Sequence, residues 1–246
     1  MDADRTARAA SFERGAAVYQ ATRPTYPAEA VRWCVPPGAR DAVDLAAGTG
    51  KLTARLAELG LHVTALEPSD AMRGELLAAV PGVEARPGSA ERTGLPDGVA
   101  DVVTVAQAWH WFDETAASAE IARVLRPGGT LAVLWNVRDP DVDWVAAFTE
   151  IIHRGDDLEP SHRSPSLGPQ FEPTEHTTIR WHDEIAPAAL RALAASRSHL
   201  LTLPDADRDA LLDAVDELVA THPHLRGRER VELPYLTRCW RARTRR

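Results

Sequence analysis

Asp44-Leu-Ala-Ala-Gly-Thr-Gly50 has the residue types of a turn built to let a ligand touch the backbone. The apolar approach Ala42-Val43 ends in an acid, small residues follow, and a helical pattern starts at Lys51. At Ala46, Gly48 and Gly50 a bulkier side chain would fill the space a ligand needs. Seventeen residues after Gly50, the apolar run Leu61 to Leu66 ends in Glu67. A carboxylate at that position suits two ribose hydroxyls. Together these residues describe a site for a nucleoside-bearing cofactor on an open α/β sheet.

Three kinds of nucleotide turn are candidates. The dinucleotide pattern G-x-G-x-x-G fails, because Lys51, Leu52 and Thr53 follow Gly48-Thr-Gly50 where a third glycine belongs. The phosphate loop fails as well, with Leu45 in place of its first glycine and Leu52 where Ser or Thr should follow Lys51. What remains is [DE]-x-[GA]-x-G-x-G, and with it the chain resembles the class I S-adenosylmethionine-dependent methyltransferases. Later landmarks carry the resemblance further: Glu67-Pro-Ser-Asp-Ala-Met72, Gly88-Ser-Ala-Glu91, Ala100 to Gln107, and Ile121-Ala-Arg-Val-Leu-Arg-Pro-Gly-Gly129 leading to Trp135. Arg23-Pro-Thr-Tyr-Pro27, Ala106-Gln-Ala-Trp-His-Trp-Phe112 and Leu134-Trp-Asn136 extend it over about residues 10 to 240, toward a bacterial small-molecule branch. Ala46 departs from the glycine many members have, adding one methyl to the turn.

The resemblance implies S-adenosylmethionine as cofactor and assigns roles. Ligands in such sheets bind beyond the carboxyl ends of the strands, so Asp44, Ala46, Gly48, Gly50, Glu67, Ser89, Ala90, Glu91 and Gln107 converge on one crevice. Gly48 and Gly50 pass near the methionine and ribose, and Glu67 takes the ribose hydroxyls. Pro68 and Met72 pack on adenine, while the Ala90 amide and Glu91 read its edge. For Glu91 a pairing with Arg92 stays open, as does a core role for Met72. Tyr26 is the expected contact from an N-terminal lid that includes Tyr19 and Arg23. On the acceptor side stand Trp109, Trp111 and Trp135, either enclosing a flat acceptor through their faces or filling core space. His110 is the candidate base, with a structural role as the alternative. The methyl on a sulfonium is already electrophilic, so no fixed catalytic constellation is required.

Composition bounds the rest. The 246 residues suffice for one full core with a lid or cap. A formal charge of −8 speaks against nucleic acid and anionic membrane as partners, the basic tail from Arg238 to Arg246 being a solvated end. Cys34 and Cys239, far apart in the chain, read as free thiols of a reducing cytosol. No metal is expected, and His222-Pro-His224 reads as a polar linker. No signal peptide or membrane span is expected, which makes the chain cytoplasmic.

The elements that must position these residues follow from periodicity. A helix from Pro27 to about Cys34 precedes strands near 41–45, 62–66, 83–86, 101–106 and 130–135. Helices near 51–59, 70–79 and 115–125 alternate with them, Ser69 capping the second. Pro127-Gly128-Gly129 reads as the turn into the fifth strand. A long loop over 155–175, a strand at 177–182, helices at 187–196 and 205–220, and a strand at 231–240 complete the chain. The expected fold is α/β: a Rossmann-like, seven-stranded, mostly parallel sheet with an N-terminal helical lid, its last pair antiparallel by resemblance. Residues 1–40 form the lid, 41–136 the cofactor core and 137–246 the acceptor side. The expected activity is methyl transfer to a small organic acceptor. An NAD-dependent oxidoreductase and a non-catalytic cofactor-binding protein are the alternatives, and the oligomeric state is left open.

Overall fold

The computed structural model describes residues 16–156 and 164–245. The start of the expected lid and the middle of the expected 155–175 loop lie outside them. The chain divides into two compact units, one of residues 1–24, 137–160 and 180–236, the other of residues 25–136, 161–179 and 237–246. Among the described residues, no helix is long and apolar enough to cross a membrane.

The second unit carries the βα alternation. Strands β1 (Asp41–Leu45), β2 (His62–Leu66), β3 (Glu84–Arg86), β4 (Ala100–Ala106) and β5 (Leu125–Arg138) pair in parallel, β1 lying between β2 and β4. The whole sheet has seven strands in the order β3-β2-β1-β4-β5-β7-β6, with β6 (Glu175–Ile185) and β7 (Val231–Arg243) as the antiparallel last pair. β1 and β4 are buried along most of their length because helices cover both faces of a parallel sheet.

Helix α1 is described over 16–22, and α2 spans Ala28–Cys34. Helix α3 (Lys51–Glu58) buries Leu52 and Leu56, four residues apart on one face. Helix α4 (Asp70–Ala79) starts where Ser69 Oγ accepts the Met72 amide, as expected, and Met72 and Leu76 form its buried stripe. Helix α5 (Glu114–Val124) is capped by Asp113, whose carboxylate accepts the Thr115 and Ala116 amides.

One expectation changes here. Pro127-Gly128-Gly129 is a bulge inside β5 rather than a turn before it: Ala100 pairs with Leu125 and Val102 with Thr130. Gly128, at φ +77°, makes that excursion, and Arg126 at its base bonds to Asp41 and Asp101. Cys34 and Cys239 are both free, as expected; though far apart in the chain, both are buried and share one core cluster. Burial, then hydrogen bonding to Cys239, pushes the Cys34 thiol well above its ordinary pKa.

The first unit has its own core. Helix α6 (Asp143–His153), which sequence reading passed over, buries Trp144, Val145, Phe148 and Ile152 against α7 (Ala189–Ala195), α8 (Ser198–Thr202) and α9 (Asp205–Thr221).

Candidate cofactor and acceptor site

Strand order decides where the site forms. β1 and β4 are neighbours whose following segments leave the same end of the sheet, and each is followed by a non-glycine residue in the left-handed region: Ala46 at φ +51° and Gln107 at φ +59°. Such backbone costs about 1–2 kcal/mol for an L-residue and concentrates at functional sites.

The turn after β1 is tied down on every side. The Ala47 amide donates to Leu66 O at 3.1 Å and the Gly50 amide to Ala47 O at 3.0 Å. Glu67, only 7% exposed, accepts the Gly48 amide on Oε2 and the Ser69 amide on Oε1, each at 2.9 Å. Arg73 on α4 donates to the carbonyls of Glu67 and Pro68 and so braces the same loop.

The two glycines of the turn differ. Gly48 is at φ +57°, and nothing lies within 4 Å of the point where its Cβ would stand. A Cβ on Gly50 would stand 2.9 Å from Leu76 Cγ. Close packing on α4 therefore accounts for Gly50, whereas Gly48 opens on space a ligand can use. That open cradle beside a buried carboxylate fits a nucleoside cofactor.

Asp44 turns inward. Thr53 and Thr104 donate to its two oxygens at 2.6 and 2.8 Å, and burial raises its pKa to about 6. It acts by fastening β1, α3 and β4 behind the turn. Thr53 and Thr104 had no distinguishing mark in the sequence, since only the fold brings them to Asp44.

The adenine-side residues divide. Pro68 is exposed, Met72 is buried on α4, and Ser89 faces Arg92 through a backbone bridge beside buried Ala90. Glu91 Oε1 accepts the Asp113 amide at 3.0 Å, tying this segment to the start of α5. Tyr26 is buried in the core cluster with Ala30, Val31 and Leu134.

On the other side, Trp109 to Trp111 form a 3₁₀ turn after β4. The Trp109 indole is buried and donates to Glu114 at 3.1 Å. His110 lies with its ring centroid 4.4 Å from that of Trp111 and 5.1 Å from that of Trp135. These three rings make one aromatic wall at the ends of β4 and β5. Gln107 donates from its side chain to Asn136 O. Asn136 in turn donates to Thr25 O at 2.8 Å and accepts from Thr237 at 2.6 Å. Asn136 was visible as part of Leu134-Trp-Asn136 but was not singled out; its role as a junction is set by partners distant in sequence.

In the first unit, His222 and His224 do more than link. With Asp143 of α6 they bring ligand-type atoms within 4.8 Å of one another. The spacing gave no sign of this because the third group comes from far upstream.

Comparison with known proteins agrees with this geometry. Residues 43–133 match the model of a methyltransferase domain family. An uncharacterized methyltransferase of Mycobacterium tuberculosis is 44% identical over 98% of this chain and 99% of its own length. A demethylmenaquinone methyltransferase of Beutenbergia cavernae is 31% identical over 63% of this chain and 64% of its own. Among solved structures, a protein described as a type II methyltransferase from Anaeromyxobacter dehalogenans superposes with a TM-score of 0.63 at 25% identity, covering 91% of this chain and 97% of that one.

Proposed function

Because the chain belongs to the class I S-adenosylmethionine-dependent methyltransferases, we propose that it methylates a small organic acceptor at O, N, C or a carboxylate. Membership sets aside the oxidoreductase. The observation that carries the reading is Gly48, left-handed and open to space, beside the buried carboxylate of Glu67.

The bound cofactor supplies a methyl group on a sulfonium, which needs no further activation. The chain's own residues hold, orient and keep out water. Glu67 takes the ribose hydroxyls while it anchors the Gly48 and Ser69 amides. Pro68 and Met72 flank the adenine, with Ala90 and Glu91 at its edge. The Trp111, His110 and Trp135 rings close over a flat acceptor, and their faces favour a cation. The B. cavernae relative is named for demethylmenaquinone, which supports an organic molecule here. So does the charge of −8, which repels polyanions.

The test is transfer from methyl-labelled S-adenosylmethionine to a panel of phenols, amines and carboxylic acids, read by mass spectrometry. A labelled small product is expected. Label found only in added nucleic acid or protein would overturn the small-acceptor assignment.

A further inference from the structure

We propose that Arg23, Arg138 and Arg197, in the first unit, form a binding site for the oxyanion of a small molecule, a carboxylate or a phosphate.

Three guanidiniums are gathered here. Arg138, at the end of β5, donates from Nε to Thr149 at 2.9 Å and lies over the Phe148 ring, 5.4 Å from its centroid. Arg23 donates to Ser196 O at 3.1 Å and stacks on Tyr19. Arg197, 18% exposed, pairs with buried Asp156 at 3.6 Å. Asp183 also lies near enough to act on Tyr235 beside these groups.

The groups are close enough to act on one another. Burial first, and then Arg23, lowers Arg138 to about 10; burial first, and then Arg138 and Arg23, lowers Arg197 to about 9. Arg138 and Arg197 both stay cationic at neutral pH. Tyr235, raised to about 12 chiefly by burial, stays a neutral phenol beside them.

Several donors are left over. The Nε atoms of Arg23 and Arg197 are buried and make no hydrogen bond among the described residues. Buried like charges with unmade hydrogen bonds are costly, and native structures rarely keep such groups without a use. A guanidinium fork matches the paired oxygens of a carboxylate or phosphate. An oxyanion would supply acceptors for these buried donors.

The site can be tested without cofactor, so its failure is separate from any failure of the methyl-transfer reading. Citrate, succinate and inorganic phosphate are titrated calorimetrically into the full chain, with sodium chloride of equal ionic strength as control. At least one probe is expected to bind saturably and raise the melting temperature above the chloride control; the carboxylate and phosphate arms tell which oxyanion is preferred. Arg197→Gln and Arg138→Gln should each weaken that binding tenfold or more, while S-adenosylmethionine affinity stays unchanged. Arg197→Lys, which keeps the charge and loses the fork, should fall between, and serves if a Gln variant fails to fold. Absence of binding above chloride, or binding equal in wild type and the folded variants, would overturn the proposal.

Discussion

Glu67 Oε2 accepts the amide of Gly48 at 2.9 Å, joining the end of β2 to the turn after β1. One carboxylate thereby shapes the cradle and lines it. Its position was legible in the sequence; its second duty was not, because the amides it holds are 19 residues upstream and 2 downstream.

Glu67→Ala should therefore do two things. S-adenosylmethionine binding should weaken by about 1.5–3 kcal/mol, the worth of hydrogen bonds to a charged group. The melting temperature should fall too, as two amides lose their acceptor. Unchanged affinity in a folded variant would remove Glu67 from the ribose.

Asp44 predicts a pH dependence. Its folded pKa of about 6 lies above the ordinary 3.8, so the folded state holds the proton more tightly than the unfolded one. The associated stability is present below about pH 4 and is lost as pH rises through 6. The loss should be on the order of 3 kcal/mol, from about two pKa units. Asp44→Asn lacks this titration, so wild type should lose that much relative to the variant between pH 4 and 7 in urea denaturation. Parallel profiles would contradict it.

Ala46 adopts φ +51°, where a Cβ costs about 1–2 kcal/mol. Ala→Gly ordinarily destabilises by about 0.5–1 kcal/mol. Ala46→Gly should instead be neutral or stabilise by up to about 1 kcal/mol. A clear loss of stability would show that the turn carries no strain.

His110 is held between Trp111 and Trp135. If it supports that wall, His110→Ala should lower the single-turnover methylation rate less than tenfold, with a lower melting temperature. A general base would give a loss of about 10²–10⁴ and a rate rising with pH near 6.5. The smaller effect is expected.

β1, β2 and β4 were legible because each apolar run ends in a small or acidic residue that leads into a loop. Partnerships were not. Glu91 bonds to the Asp113 amide rather than to adjacent Arg92, and Gly50 owes its size to Leu76 on another helix. Helix α6 was missed although Trp144, Val145, Phe148 and Ile152 fit one helical face; it follows directly on β5, where the alternating pattern had broken off. The arginine cluster draws on positions 23, 138 and 197, which no local pattern connects.

The most direct test of the cofactor site is titration of S-adenosylmethionine into wild type and Gly48→Val, with circular dichroism and melting on the same samples. The valine would enter the open space at Gly48, at a backbone cost of about 1–2 kcal/mol that a domain of this size tolerates. Wild type should bind one cofactor per chain, and the folded variant should bind at least a hundredfold more weakly. Wild-type affinity in folded Gly48→Val would place the cofactor somewhere other than this turn.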